Sequence, residues 1–480
     1  MKNSIKNNII KIIGVVFIGI TSSSCSDYLD VTPEDKILES QLYATEGGIQ
    51  NQLNGVYHRI TSEPLYGGRL TMGVMELLAQ RYTIARSDSD YAPFVGYNYS
   101  NEDLRSSFDG IWTNAYVSIL NLNDLITNVD KYGVLNPEKS NIIKGEAYGL
   151  RAMLHFDLLR IFGPIYSENP ESSAIPYYSE AKAENGEILS AKAVMELVLK
   201  DLDMAESLLE NDPILGNSSI TDGYYLNNRK LHLNYFGVKA LQARVNLYAG
   251  NIETAKTAAK FVIDEASSIY PWTSPSAITS AGGNPDRSFS PEVIFGPQNV
   301  NLYNRYDNMF SGELRANDVL YYNESRLDQM FESNESDYRY NYIWIKPTEG
   351  GEITFRTFHK FADVAEPDMP FRYMQPLIRK TEMYYILAEA ETDEITALEY
   401  LNTVRYNRGL VNAESGVDIQ AEIEKEYMRE FFGEGQLFFY YKRRNIEKIP
   451  NAKSTSSRSF ITMSPEKYVL PLPDSELKYQ

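Results

Sequence analysis

Four histidines, His58, His155, His232 and His359, are scattered along the chain, and none has the H-E-x-x-H spacing that sets two imidazoles on one helix face around a metal. There is no G-x-S-x-G nucleophile elbow and no phosphate-cradling glycine loop. Each lone histidine reads most simply as a packing or surface residue. Two carboxylates are enough for a glycosidase and this acidic chain has many, so one-dimensional spacing does not exclude that chemistry. Asp88-Ser89-Asp90 alternates carboxylates as a calcium loop does, but lacks the glycine and distal glutamate of an EF-hand, so a solvated loop is the default reading.

Non-covalent binding has more residues to draw on, since tyrosine suits wet interfaces and stacking on sugar faces. A sugar is held by aromatic faces against its C–H surface and by polar groups that read its hydroxyls, often through water. Residues of that kind gather in two stretches without helical periodicity. One holds Arg81, Tyr82, Tyr91, Phe94, Tyr97 and Asn98; the other holds Trp272, Tyr303, Asn304 and Tyr306, with Trp344 further on. Two to four of these are expected to line one site, and the rest to pack as core or rim. Trp272 follows Tyr270-Pro271, a rigid turn that either presents the ring outward or plugs it onto the preceding helix. On the first reading, Trp272→Ala weakens ligand binding without unfolding the chain.

Long helical patterns must position these stretches. Glu46 to Ile60, Leu104 to Val129, Glu138 to Phe162 and Ala191 to Glu210 carry apolar residues at three- and four-residue spacings. The third stops at Gly163-Pro164, an expected helix end. Tyr235 to Ala266 and Glu382 to Arg408 resemble each other: a helix, a brief turn, then a helix with alanines on the inward face. Small residues at a close crossing suit tetratricopeptide-type pairs, although an ordinary helical hairpin has the same pattern. Between them, from about Ile269 to Pro376, lies a Gly-, Pro-, Asn- and Tyr-rich region with short strand-like runs at Val293 to Phe295 and Tyr342 to Ile345. Thr61 to Asp103 is a second loop-like region, and loops on a rigid scaffold are where binding residues usually sit. The run Phe438 to Arg444 reads as the end of a packed helix, with its cations where the helix dipole favours them.

Composition narrows the partners. A net charge of −19 argues against nucleic acid and against anionic lipid held by a basic patch. Thirty-six tyrosines against three tryptophans supply many rings with a polar tip. The single cysteine, Cys25, excludes a disulfide framework. It follows Lys2, Lys6 and Lys11, an apolar stretch from Ile12 to Ile20 and the run Thr21 to Ser24. That stretch is shorter than the ~20 apolar residues of a spanning helix, so residues 1–24 read as a secretory signal. A plain signal would leave a free thiol; a lone cysteine at the cleavage point favours lipidation of Cys25 and an anchor in the membrane by several acyl chains.

Taken in order, six segments resemble the SusD/RagB-like outer-membrane lipoproteins of Bacteroidetes. They are the opening Cys25-Ser26-Asp27-Tyr28-Leu29-Asp30-Val31-Thr32-Pro33; Gly145-Glu146-Ala147 through Arg151 to Phe162-Gly163-Pro164; Ile378 to Ala390; Leu401 to Arg405 with Arg408-Gly409; Arg429-Glu430-Phe431 with Glu434-Gly435; and Leu470 to Pro473 with Glu476-Leu477. One departure stands after Gly435, where Gln436-Leu437-Phe438-Phe439 replaces the Arg or His and the Asp-Leu pair that the family often has. The resemblance implies a mainly α fold: tetratricopeptide-like helix pairs in a right-handed superhelical scaffold, packed against an irregular loop-rich half with a few short strands. It implies a single body over 25–480, with helical scaffold at 34–266 and 377–445 and a ligand-binding insert at about 269–376. It further implies a lipid-anchored protein of the outer membrane and cell surface that captures an oligosaccharide and passes it to a SusC-like TonB-dependent transporter. No catalysis, resident metal or cofactor is implied. Peptide capture by the same kind of complex, or a purely structural scaffold, stays open.

Overall fold

The computed structural model describes residues 39–478 except 85, 183, 280, 281 and 348–351. The expected signal segment 1–24, the expected lipidation site Cys25 and the tether to Pro33 lie outside the described residues. No helix among the described residues is long and apolar enough to cross a membrane.

The first half is built from α1 (Glu46–Ile60), α2 (Glu102–Tyr132), α3 (Pro137–Phe162), α4 (Ala191–Leu208), α5 (Tyr235–Ala249) and α6 (Ile252–Ala266). Local chemistry starts and stops them. Thr45, Asn101, Asn136, Ser190 and Asn234 each accept a bond from a first-turn N–H, and Gly250 at φ +82° ends α5 in the left-handed conformation. Farther along come α7 (Leu302–Phe310), α8 (Glu324–Phe331), α9 (Lys380–Ala390), α10 (Glu394–Asn407), α11 (Ile419–Glu430) and α12 (Gln436–Arg443).

Packing follows a chain of neighbours. α1 lies on α2, α2 on α3, α3 on α4, α4 on α5 and α5 on α6; α6 lies on α9, and α9 on α10. The two look-alike units, α5–α6 and α9–α10, are therefore consecutive layers of one mainly helical array, even though more than a hundred residues separate them. α3 is the buried centre, with every residue from Leu150 to Phe162 in the core. Its close crossing depends on glycine: a Cβ at Gly145 would sit 2.6 Å from Leu209 Cγ, and one at Gly149 2.6 Å from Leu233 Cδ2.

Strands are few and short among the described residues: β1 (Ser173–Pro176) with β2 (Ile188–Ser190), β3 (Val293–Phe295) with β6 (Ile378–Arg379), β4 (Trp344–Ile345) with β5 (Thr357–Phe358), and β7 (Lys448–Pro450) with β8 (Phe460–Thr462), all antiparallel. The β3–β6 pair, with Val293 opposite Arg379, stitches the irregular region to the start of α9. The strand-like run at Tyr342 splits differently: Arg339–Ile343 is a π-helical turn, and only Trp344–Ile345 is extended.

Charged motif residues are spent inside this architecture. Glu430 of α11 is fully buried and accepts from Arg379, Arg408 and Arg339. Glu426 takes Arg339 and Arg429, Glu434 takes Arg379 and Lys360, and Glu292 takes Arg408 from the β3 side. Burial alone would raise the Glu430 carboxyl, but Arg408, Arg379 and Arg339 hold it well below the usual range. Glu146 of α3 joins Arg229 and His232, while Arg151 is held bidentately by Asp201 at 2.6 Å. The run at 438–444 is less peripheral than its cations suggest. Phe438 to Lys442 are all buried, and the Lys442 ammonium donates to the Arg160 and Gly163 carbonyls at 2.8 and 2.7 Å, closing the end of α3. Arg443 and Arg444, at the end of α12, clamp Glu389.

Candidate functional site

A cleft of about 320 Å³ opens between the end of α1 with its following turns and the segment that leads into α7. One wall carries His58, Thr61, Ser62, Glu63 and Gly67; the other carries Asn299, Val300, Asn301, Asn304, Arg305 and Asn308. The second wall follows from the amphipathic pattern of α7. Leu302, Tyr306, Met309 and Phe310 face the core, which turns Asn301, Asn304, Arg305 and Asn308 outward along one stripe. The base is pinned: buried Asn299 donates its backbone N–H to the Tyr373 carbonyl at 2.6 Å, and its side chain receives the Asn301 N–H at 3.0 Å. Opposite, Thr61 and Ser62 donate to carbonyls of the last turn of α1, while Glu63 is taken up by Arg69 at 3.2 Å.

Outside the cleft lining, Tyr303 and Tyr373 form a ring pair with centroids 5.8 Å apart. The Arg372 guanidinium lies 4.9 Å from both rings and is fixed by Asp363 through bonds of 2.7 and 2.8 Å. Asparagine amides both donate and accept, so the outward stripe of α7 is suited to a ligand dense in hydroxyls.

The residues singled out by sequence are distributed unevenly around this place. Asn304 lines the cleft, Tyr303 does not and pairs with Tyr373 instead, and half-buried Tyr91 lies within the field of Arg305. Tyr306 instead points inward, with its hydroxyl 3.2 Å from His359 Nδ1. Arg81 is 1% exposed, bonded to the Met428 carbonyl and set 4.2 Å over the Phe432 ring. Tyr82 is equally buried and donates to the Met72 carbonyl at 2.5 Å. Phe94 and Trp344 are core residues, the latter packed on Phe358 and Phe432. Tyr97 spends its hydroxyl on the Leu78 carbonyl at 2.6 Å; Asn98 is exposed and accepts from Ser100. Trp272 lies under Lys380, whose ammonium is 3.9 Å from the ring, and against Tyr384, so it belongs to the face of α9. Sequence reasoning passed over Asn299, Asn301, Arg305 and Asn308. The signal that could have found them is the apolar spacing 302, 306, 309, 310, which turns the intervening amides outward.

Metal and acid–base arrangements are thin here. Among the described residues no group of three or more His, Cys, Asp or Glu side chains converges as metal ligands would, and Asp88 is engaged by Arg86 at 2.7 and 3.0 Å. His155 is stacked on Tyr177 at 3.8 Å, and burial pushes it down to about 3; burial likewise pushes His359 to about 4. Two larger hollows lie elsewhere. One of about 430 Å³, beside α2, is lined by Trp112, Tyr116 and Tyr178, but its central amide, Asn123, is committed to Arg151 and two carbonyls. Another of about 800 Å³ is walled by the C-terminal stretch Pro471–Lys478 and bridged by Arg105 and Asp474.

Comparison with known proteins places the architecture. Residues 27–217 match a SusD-like family model described as starch-binding associating with outer membrane, and residues 348–479 match the model of the SusD family. SusD-like protein P2 of Formosa agariphila is 26% identical over 193 residues, 40% of this chain, and SusD-like protein P38 of the same organism is 24% identical over 260 residues, 53% of this chain. The matched stretches span 36% and 44% of those relatives' own lengths. A SusD superfamily protein from Bacteroides thetaiotaomicron superposes with a TM-score of 0.70 at 22% identity, covering 90% of this chain and 98% of that one. A SusD-like carbohydrate binding protein from Bacteroides vulgatus gives a TM-score of 0.70 at 19% identity, with 91% and 96% covered. At such identities the likeness shows the fold.

Proposed function

We propose that this chain, a SusD/RagB-like protein, captures an oligosaccharide in the cleft of α7 and passes it, chemically intact, to a SusC-like TonB-dependent outer-membrane transporter. The observation that carries the reading is the outward stripe of α7. Among the described residues, the side chains of Asn301, Asn304 and Asn308 have no structural hydrogen bond to make, and they face the cleft. Uncommitted amides in a concavity are what hydroxyl recognition asks of a protein. The family supports attachment at the cell surface, with the lipid on Cys25 as the anchor.

A non-catalytic role is supported by the carboxylates. Glycoside hydrolysis needs two of them flanking the bond. Among the described residues the cleft is lined by one, Glu63, which Arg69 already engages.

The test is a binding screen of the purified chain against polysaccharides, oligosaccharides and a peptide pool, with reducing ends assayed in the same wells. A glycan that binds and stays uncleaved is the expected result. Binding of peptides alone, or release of reducing ends, would overturn this assignment.

A further inference from the structure

We propose that Arg305 makes this cleft selective for oligosaccharides that carry carboxylates, that is, uronic acid units, over neutral ones; the proposal rests on reading the cleft as the ligand site. The charges around the cleft are unequal in what they have left to give. Glu63 is occupied by Arg69, and Arg372 on the Tyr303–Tyr373 ring pair is held in both directions by Asp363. Arg305 forms no ion pair among the described residues, although the chain carries 65 acidic against 46 basic side chains and most of its arginines are paired. It lies in electrostatic range of the Tyr91 hydroxyl, a group neutral at ordinary pH.

Position sharpens the argument. Arg305 is half-buried in the middle of the α7 stripe, one turn after Asn301, next to Asn304 and one turn before Asn308. A guanidinium presents a planar fork of donors that matches a carboxylate in two parallel bonds. The flanking amides read hydroxyls on the same ligand. Val300 is the one apolar side chain lining the cleft among the described residues. A peptide bringing apolar side chains would find little to pack on, which favours a sugar as the bearer of the carboxylate.

The experiment is calorimetric titration of the purified full chain with trimers of galacturonate and of mannuronate, each as the free acid and as the carboxyl methyl ester. Neutral trisaccharides, and a tripeptide with a free or amidated C-terminus, complete the panel. At least one uronate trimer should bind about tenfold or more tighter than its ester, the scale of a charge-assisted bond pair. Arg305→Gln should erase that preference, so that acid and ester bind within about twofold of each other. Equal binding of acid and ester, or a preference that survives in Arg305→Gln, overturns the proposal. So does binding of neutral sugars only, or of the free tripeptide only. The underlying reading fails separately: if Asn304→Ala changes no glycan's affinity, the cleft is not the site, whatever Arg305 does. Silence from every sugar overturns both.

Discussion

The ion-pair core around α11 and the amide stripe of α7 treat polar side chains in opposite ways. Around α11, Glu426, Glu430 and Glu434 are buried and saturated by Arg339, Arg379, Arg408 and Lys360, so charge is converted into a rigid joint between the irregular region and the helices. On α7, Asn304, Arg305 and Asn308 face solvent in a concavity and hold nothing in place. The charged residues that carry the family likeness are therefore scaffold parts, and binding capacity is found where polar groups remain unspent. Removing a residue from the first region should unfold the protein; removing one from the second should change only what it holds.

The largest effect is expected at Glu430. Glu430→Ala leaves three buried guanidinium groups short of a partner, and breaking a buried pair from one side costs about 3–5 kcal/mol. Chemical denaturation would measure it; a loss below about 1 kcal/mol would show the joint to be dispensable.

Acid should attack this region and the separate Glu146–Arg229–His232 cluster of α3. Burial opposes ionisation of Glu146 and Glu426, yet Arg229 with His232, and Arg339 with Arg429, bring their carboxyls from 4.5 down to about 2. The folded value lies below the unfolded one, so the unfolded chain binds more protons between the two. The stabilisation is complete above about pH 5 and is lost as pH falls toward 2, about 3 kcal/mol for each carboxylate. A denaturation midpoint that stays flat from pH 5 to 3 would contradict this, and Glu146→Gln should remove part of the slope.

Trp272 comes next, and it separates the regions directly. With Lys380 over its ring and Tyr384 beside it, Trp272→Ala should cost about 1–3 kcal/mol of stability and leave ligand affinity alone. Weakened binding at unchanged stability would return the ring to the site. Asn304→Ala should do the reverse: the melting temperature holds, and binding weakens by about 0.5–1.5 kcal/mol, read by calorimetry.

Much of the scaffold was legible because its causes are local. The Glu46–Ile60 helix has the bounds its periodicity and caps imply, and Val293–Phe295 is the strand its composition suggests. The paired units α5–α6 and α9–α10 were recognisable from small residues flanking a tight turn. The loop residues were harder because the direction of a side chain there is set by distant chain. Arg81 is claimed by the Met428 carbonyl, 347 residues away, and Trp344 by Phe432. The burial of Glu430 and Arg379 was equally hidden, since charged residues are mostly exposed and their pairing is written across elements far apart in sequence. Of the cleft lining, Asn304 was singled out by residue type, while Asn301 and Asn308 needed the short helix to be seen.

The most direct test of the central claim is one calorimetric comparison, using the glycan that binds most tightly in the screen, of the parent chain with the double variant Asn304→Ala/Asn308→Ala. The account predicts an affinity at least tenfold weaker, with the melting temperature and the ion-pair core unchanged. Equal affinity in the two proteins would contradict it and move the ligand site away from α7.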